Sequence, residues 1–184
     1  MAMPAPMDMS VLQLAVVSLV LACASVYDVR ERRVPNWLSY GAVLAGFGYQ
    51  LAAGAASAAL LGVLMCGCLG VLMYALSRLG AGDAKLLMAV GAWLGPGVGL
   101  DVTLLTLVTG AAVGCILLLR AGRALQMARE LWLSVLTLTT NGARTWIPDG
   151  ALSFPLAPVM AASWLIVALV PELRPVSPLL EALR

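Results

Sequence analysis

Six long apolar runs constrain this chain more than any other feature. They cover residues 11–27, 37–53, 57–76, 84–100, 102–119 and 152–170, and apart from Lys85 none of them holds a charged side chain. About 20 apolar residues, with a range of about 17–25, carry an α-helix across the hydrocarbon of a bilayer. In lipid each backbone N–H and C=O must find its partner within the segment, so helices are the natural solution for runs of this kind. Composition agrees: 62% of the 184 residues are hydrophobic and 11% are charged, against about 25% charged in a soluble domain. The fold expected is therefore all-α, a polytopic membrane protein of about six transmembrane helices forming one membrane-embedded domain over residues 1–184. Its partners include membrane lipid. A formal net charge of +2 gives nucleic acid nothing to hold.

Lysine and arginine orient the spans. Arg30, Arg32 and Arg33 follow the first run, Arg78 and Lys85 bracket the entry to the fourth, and Arg120, Arg123, Arg129 and Arg144 follow the fifth. These positions alternate so as to share one side, which is then cytoplasmic. The opposite connections, near Gly54 and Asp101, hold neither residue. Both termini are thus expected on the periplasmic side. Residues 1–10 lack the basic region of a signal peptide, and the first run reads as a retained helix. Between residues 120 and 150, Leu125, Ala128, Leu131, Trp132, Val135 and Leu136 recur at helical spacing opposite Arg123, Gln126, Glu130, Ser134 and Thr137. That pattern predicts an amphipathic helix on the cytoplasmic surface. Asn141-Gly142 and Pro148-Asp149-Gly150 read as turns. Gly95-Pro96-Gly97 breaks the fourth run near its end. Gly91-xxx-Gly95 and Gly110-xxx-Gly114 are spaced for close helix approach.

Several chemistries drop out. The chain has no histidine, and Cys23, Cys66, Cys68 and Cys115 all lie within apolar runs. Cys66 and Cys68 would point about 200° apart on a helix. No Cys/His zinc spacing and no Ser/His or Cys/His triad can be composed from this set. No metal and no cofactor is expected.

Two carboxylates remain, each at the cytoplasmic end of an apolar run. Asp28 closes the first, in Tyr27-Asp28-Val29-Arg30-Glu31-Arg32-Arg33-Val34-Pro35-Asn36; Asp83 opens the fourth, in Gly80-Ala81-Gly82-Asp83. Separately each has a structural reading. Asp83 suits a helix N-terminus, and Asp28 suits an exposed pair with Arg30. Together they place two acids at one depth, one of them introduced by glycines that offer unusual backbone freedom and close approach. A carboxylate pair sharing one proton can hydrolyse a peptide: the ionised member activates water, and the protonated member polarises the scissile carbonyl. Val34-Pro35-Asn36 reads as structural, with Asn36 capping a helix that starts at Trp37. Lys85 reads as an anchor at the membrane surface, or as a neighbour that tunes Asp83.

Asp28-x-Arg30-x-x-Arg33-Val34-Pro35-Asn36, Gly80-Ala81-Gly82-Asp83-Ala84-Lys85-Leu86-Leu87 and Gly91-Ala92-Trp93-Leu94-Gly95 together resemble the type IV prepilin peptidases, GxGD aspartyl proteases of the bacterial inner membrane. Phe154-Pro155-Leu156-Ala157-Pro158 is similar, with looser spacing, to the motif that opens their last helix. The resemblance implies Asp28 and Asp83 as catalytic residues, supported by Gly80, Gly82 and Lys85. It implies removal of a short charged leader from a prepilin at the cytoplasmic face, with pilus assembly machinery as a further partner. The chain lacks the cysteine-rich loop and extra N-terminal region of the long, N-methylating members. It looks like the short members that serve tight-adherence (Flp/Tad) pili. Two rival readings are a non-catalytic membrane assembly component, and a GxGD protease of other signal or membrane peptides.

Overall fold

The computed structural model describes residues 9–75, 80–120, 122, 155–170, 174 and 176. Among these residues the regular structure is helical, in five helices: α1 (Val11–Glu31), α2 (Asn36–Ala52), α3 (Ala56–Ala75), α4 (Ala81–Arg120) and α5 (Ala157–Leu169). The chain packs as two units, residues 1–107 with 155–184, and residues 108–154. In the second unit the described part is the end of α4 and a turn at Gly122. The amphipathic helix and the turns expected between residues 120 and 150 lie outside the described residues.

Among the described residues three helices are long and apolar enough to cross a membrane, over Val11–Glu31, Ala56–Tyr74 and Ala81–Leu117, the last of them broken at Gly95. The chain is a helical membrane protein; six spans are not shown among the described residues. At 1.5 Å per residue a bilayer core of about 30 Å takes about 20 residues. Helix α2 has 17 residues, at the lower edge of the range for a span. Helix α5 has 13, about 20 Å by the same rise. It begins only at Ala157, with Pro158 in its first turn, where a missing N–H leaves no helical bond unmade.

The fourth and fifth apolar runs are two helices joined directly at a sharp break, and α4 covers both. Its backbone leaves the helical region at Gly95, with φ 72° and ψ −175°, immediately before Pro96. The chain then folds back on itself: a Cβ on Gly99 would lie 3.1 Å from the Gly91 Cα. In an unbroken helix those two residues would be about 12 Å apart along the axis. Asp101, expected in a loop, sits inside α4 and is buried; its Oδ1 accepts the Val176 N–H at 2.7 Å.

The break also explains two glutamines in otherwise apolar runs. Gln13 Nε2 and Gln50 Nε2 both donate to the Trp93 carbonyl, at 2.8 and 3.1 Å. A backbone carbonyl at a helix break in lipid needs such partners. Trp93 is fixed further by its Nε1–H bond to the Ala42 carbonyl at 2.9 Å and by stacking on Tyr49 at 5.4 Å. Gly46 makes room for its indole.

Without a hydrophobic drive between helices in lipid, close packing and hydrogen bonds hold the bundle. Helix α3 supplies a small-residue seam. A Cβ on Gly62 would overlap the Gly91 backbone, one on Gly67 would lie 3.0 Å from Met88, and one on Gly70 would lie 3.1 Å from Ala84. Numbers rise along α3 as they fall along α4, so the two run antiparallel and their seam ends beside Asp83. Helix α1 buries Val17, Leu21, Ala24 and Asp28, a stripe at helical spacing. Val17 and Leu21 belong to a core with Leu86, Val90 and Trp93 of α4 and Met160, Trp164 and Val167 of α5.

Candidate active site

The last residue of the buried α1 stripe is Asp28, so the packing that seats Val17 and Leu21 also turns this carboxylate inward. It is 8% exposed. One turn later the helix stops at Arg32, which adopts the left-handed conformation (φ 51°, ψ 30°) and returns its N–H to the Asp28 carbonyl at 3.0 Å. An αL residue at this place satisfies an orphan carbonyl and reverses the chain. Pro35 then opens α2 as its N-cap residue.

Asp83 lies in the first turn of α4. Its Oδ2 accepts the Gly80 N–H at 3.3 Å. Neither Gly80 nor Gly82 has a positive φ, so the backbone freedom expected of them is not what the turn uses. At Gly80 the reason is space, and at Gly82 a side-chain carbon would make ordinary contact with the loop after Asp28. A Cβ on Gly80 would lie 3.0 Å from Asp83 Oδ2, and one on Gly82 would lie 3.4 Å from Val34 Cβ. The turn before Asp83 is thereby docked on the loop after Asp28.

A cavity of about 540 Å³ opens between them. Its lining includes all five residues singled out in the sequence: Asp28, Gly80, Gly82, Asp83 and Lys85. Glu31, Arg32, Arg33, Val34, Pro35, Asn36 and Ala81 complete it. The volume is in the range of small-molecule and peptide side-chain sites.

Two partners at this site were not legible in advance. Asp28 Oδ2 accepts the N–H of Ala157, the first residue of α5, at 3.0 Å. With Pro158 next in line, α5 points its first free donor at the acid. The Asp28–Arg30 surface pair is thus replaced by a buried hydrogen bond. Asn36 is the second departure. It is the first residue of α2, and its side chain makes no cap bond; its Oδ1 accepts from Lys85 Nζ at 2.8 Å.

The arrangement puts two acids on one cavity at the end of a helical bundle. Among the described residues no group of three or more His, Cys, Asp or Glu side chains is clustered for a metal ion. The model of the type IV leader peptidase family matches residues 15–115, a stretch that holds both Asp28 and Asp83. No curated protein and no solved structure matches the chain.

Proposed function

Because the chain belongs to the type IV leader peptidase family, and is on that account a peptide hydrolase, we propose that it is an aspartyl endopeptidase that removes the leader of a type IV prepilin. Asp28 and Asp83 are its catalytic pair. The observation that carries this reading is the single cavity lined by both acids, with one member buried and hydrogen-bonded to the start of α5.

Chemically, one carboxylate of the pair is ionised and takes a proton from water. The resulting oxygen attacks the scissile carbonyl carbon, while the protonated carboxyl donates to the carbonyl oxygen. Collapse of the tetrahedral intermediate breaks the C–N bond. A proton passes to the leaving amine, and the pair regains its starting state. The rate then depends on one proton shared by two groups, and its pH profile is bell-shaped, with apparent values that belong to the pair.

The substrate is a prepilin of the Flp type. Its charged leader stays in the cytoplasm and its apolar stem lies in the inner membrane. The scissile bond then sits at the boundary, at the depth of Asp28 and Asp83. The Lys/Arg distribution supports this orientation. Reporter fusions after Arg33 and after Gly54 test it, the first reporting cytoplasm and the second periplasm; a reversal would exclude cleavage at the cytoplasmic face.

The function itself is tested with the purified full chain in lipid and a candidate prepilin. Mass spectrometry should show loss of the leader, in a reaction insensitive to chelators. A bulky residue in place of glycine before the scissile bond should suppress it if the substrate strand must pass close to the Gly80–Gly82 turn. An unchanged substrate mass across several Flp-type prepilins would reject the proposal.

A further inference from the structure

The hydrogen bond between Lys85 and Asn36 has no part in the chemistry just described, and it is not a product of either helix alone. It joins residues 49 positions apart, at 2.8 Å. The same ammonium lies 4.9 Å from the centre of the Tyr40 ring, one turn further along α2. A lysine serving only as a surface anchor would extend its head into solvent. This one is held by a carbonyl oxygen and an aromatic face on a neighbouring helix. On α4, Lys85 stands two residues beyond Asp83, about 200° around the helix. It therefore reaches toward α2 rather than toward the acid.

The bond has a companion. Gly82, on the same turn of α4, abuts Val34 in the loop between α1 and α2. Asn36 follows Val34 by two residues, and Asp28 stands one turn before that loop begins. The loop after Asp28 thus touches the turn before Asp83 at Val34 on Gly82, and just beyond that contact the start of α2 bonds the first turns of α4 through Asn36 and Lys85. We propose that Asn36 and Lys85 are a positioning pair that holds the α1–α2 loop on the Gly80–Asp83 turn and so fixes Asp28 opposite Asp83. The pair touches no reacting atom. Its importance for turnover rests on Asp28 and Asp83 being the catalytic pair, but its effect on the loop contact does not.

That separation defines the test. In a full chain with Cys23, Cys66, Cys68 and Cys115 replaced by alanine, Val34→Cys and Gly82→Cys place two thiols for a disulfide. The relevant Cβ atoms lie 3.4 Å apart, close to the usual span of about 3.5–4.5 Å. The rate of copper-phenanthroline cross-linking in membranes reports how often loop and turn meet. Asn36→Leu and Lys85→Met should each slow it roughly fivefold, as expected for the loss of about 1 kcal/mol of net hydrogen bonding. The double variant should be no slower than the slower single one, because both remove one interaction. Asn36→Asp, which still accepts from the ammonium, should restore the parental rate.

Prepilin cleavage is measured in the same variants without the engineered cysteines. Asn36→Leu should lower kcat with little change in KM, and Asn36→Asp should recover it. A parental cross-linking rate in Asn36→Leu overturns the proposal, whatever the cleavage. Slowed cross-linking with an unchanged kcat also overturns it, because the contact would then not position the acids. Slowed cross-linking in a protein whose parent cleaves no prepilin leaves the clamp standing and rejects the function proposed above.

Discussion

Asp28 shows how a single side chain acquires its setting. A buried carboxylate is costly unless hydrogen-bonded, and this one accepts the Ala157 N–H. Its inward direction comes from packing: Val17, Leu21, Ala24 and Asp28 share the buried face of α1, whereas the run is apolar all round and Asp28 equally suited an exposed pair with Arg30. Its partner was not legible either, because Ala157 lies 129 residues away and contributes a backbone group that no side-chain pattern records. Asn36 misled for a related reason. Its type suits a helix cap, and only the position of Lys85 decides otherwise. If the Ala157 N–H orients Asp28, Ala157→Pro removes the donor, with Leu156 shifting from its αR conformation to admit the ring. The variant should accumulate in the membrane and cleave prepilin about tenfold more slowly, consistent with the loss of one hydrogen bond to a carboxylate. A parental rate would mean that Asp28 is oriented by other contacts.

At the scale of elements, the apolar runs announced α1, α2 and α3 to within a few residues, because run length and span length obey the same constraint. They were less informative where glycine and proline interrupt them. Gly95-Pro96-Gly97 was visible as a break, but its consequence is a fold-back in which Gly99 meets Gly91. Asp101 looked like a loop residue because acids are rare inside spans; the Val176 N–H supplies one of its partners. The φ 72°, ψ −175° conformation of Gly95 is nearly closed to other residues. Gly95→Ala should therefore destabilise the protein by about 1–3 kcal/mol, seen as a lower unfolding midpoint in a detergent titration. In an ordinary helical position the same change would be stabilising, so a raised midpoint would contradict the fold-back.

For the molecule as a whole, the acids are brought together by parts distant in the chain. Helix α1 delivers Asp28, the α3–α4 seam delivers Asp83, and α5 hydrogen-bonds the first of them. All of this lies within one compact unit. The family match ends at residue 115, short of α5, so the Ala157 contact belongs to a part of the chain outside that match. Sequence spacing could announce two acids at one membrane depth. Their common cavity depends on helix packing that spacing does not encode. The central claim is that these two carboxylates act as one catalytic unit. Its most direct test is the rate of leader removal by purified wild-type, Asp28→Asn, Asp83→Asn and doubly substituted protein in lipid, acting on one Flp-type prepilin. Each single variant should lose at least about a thousandfold in rate, and the double variant should be no worse than either, as groups acting as a unit behave. Substantial cleavage by either single variant, from protein that inserts and accumulates normally, would contradict the account.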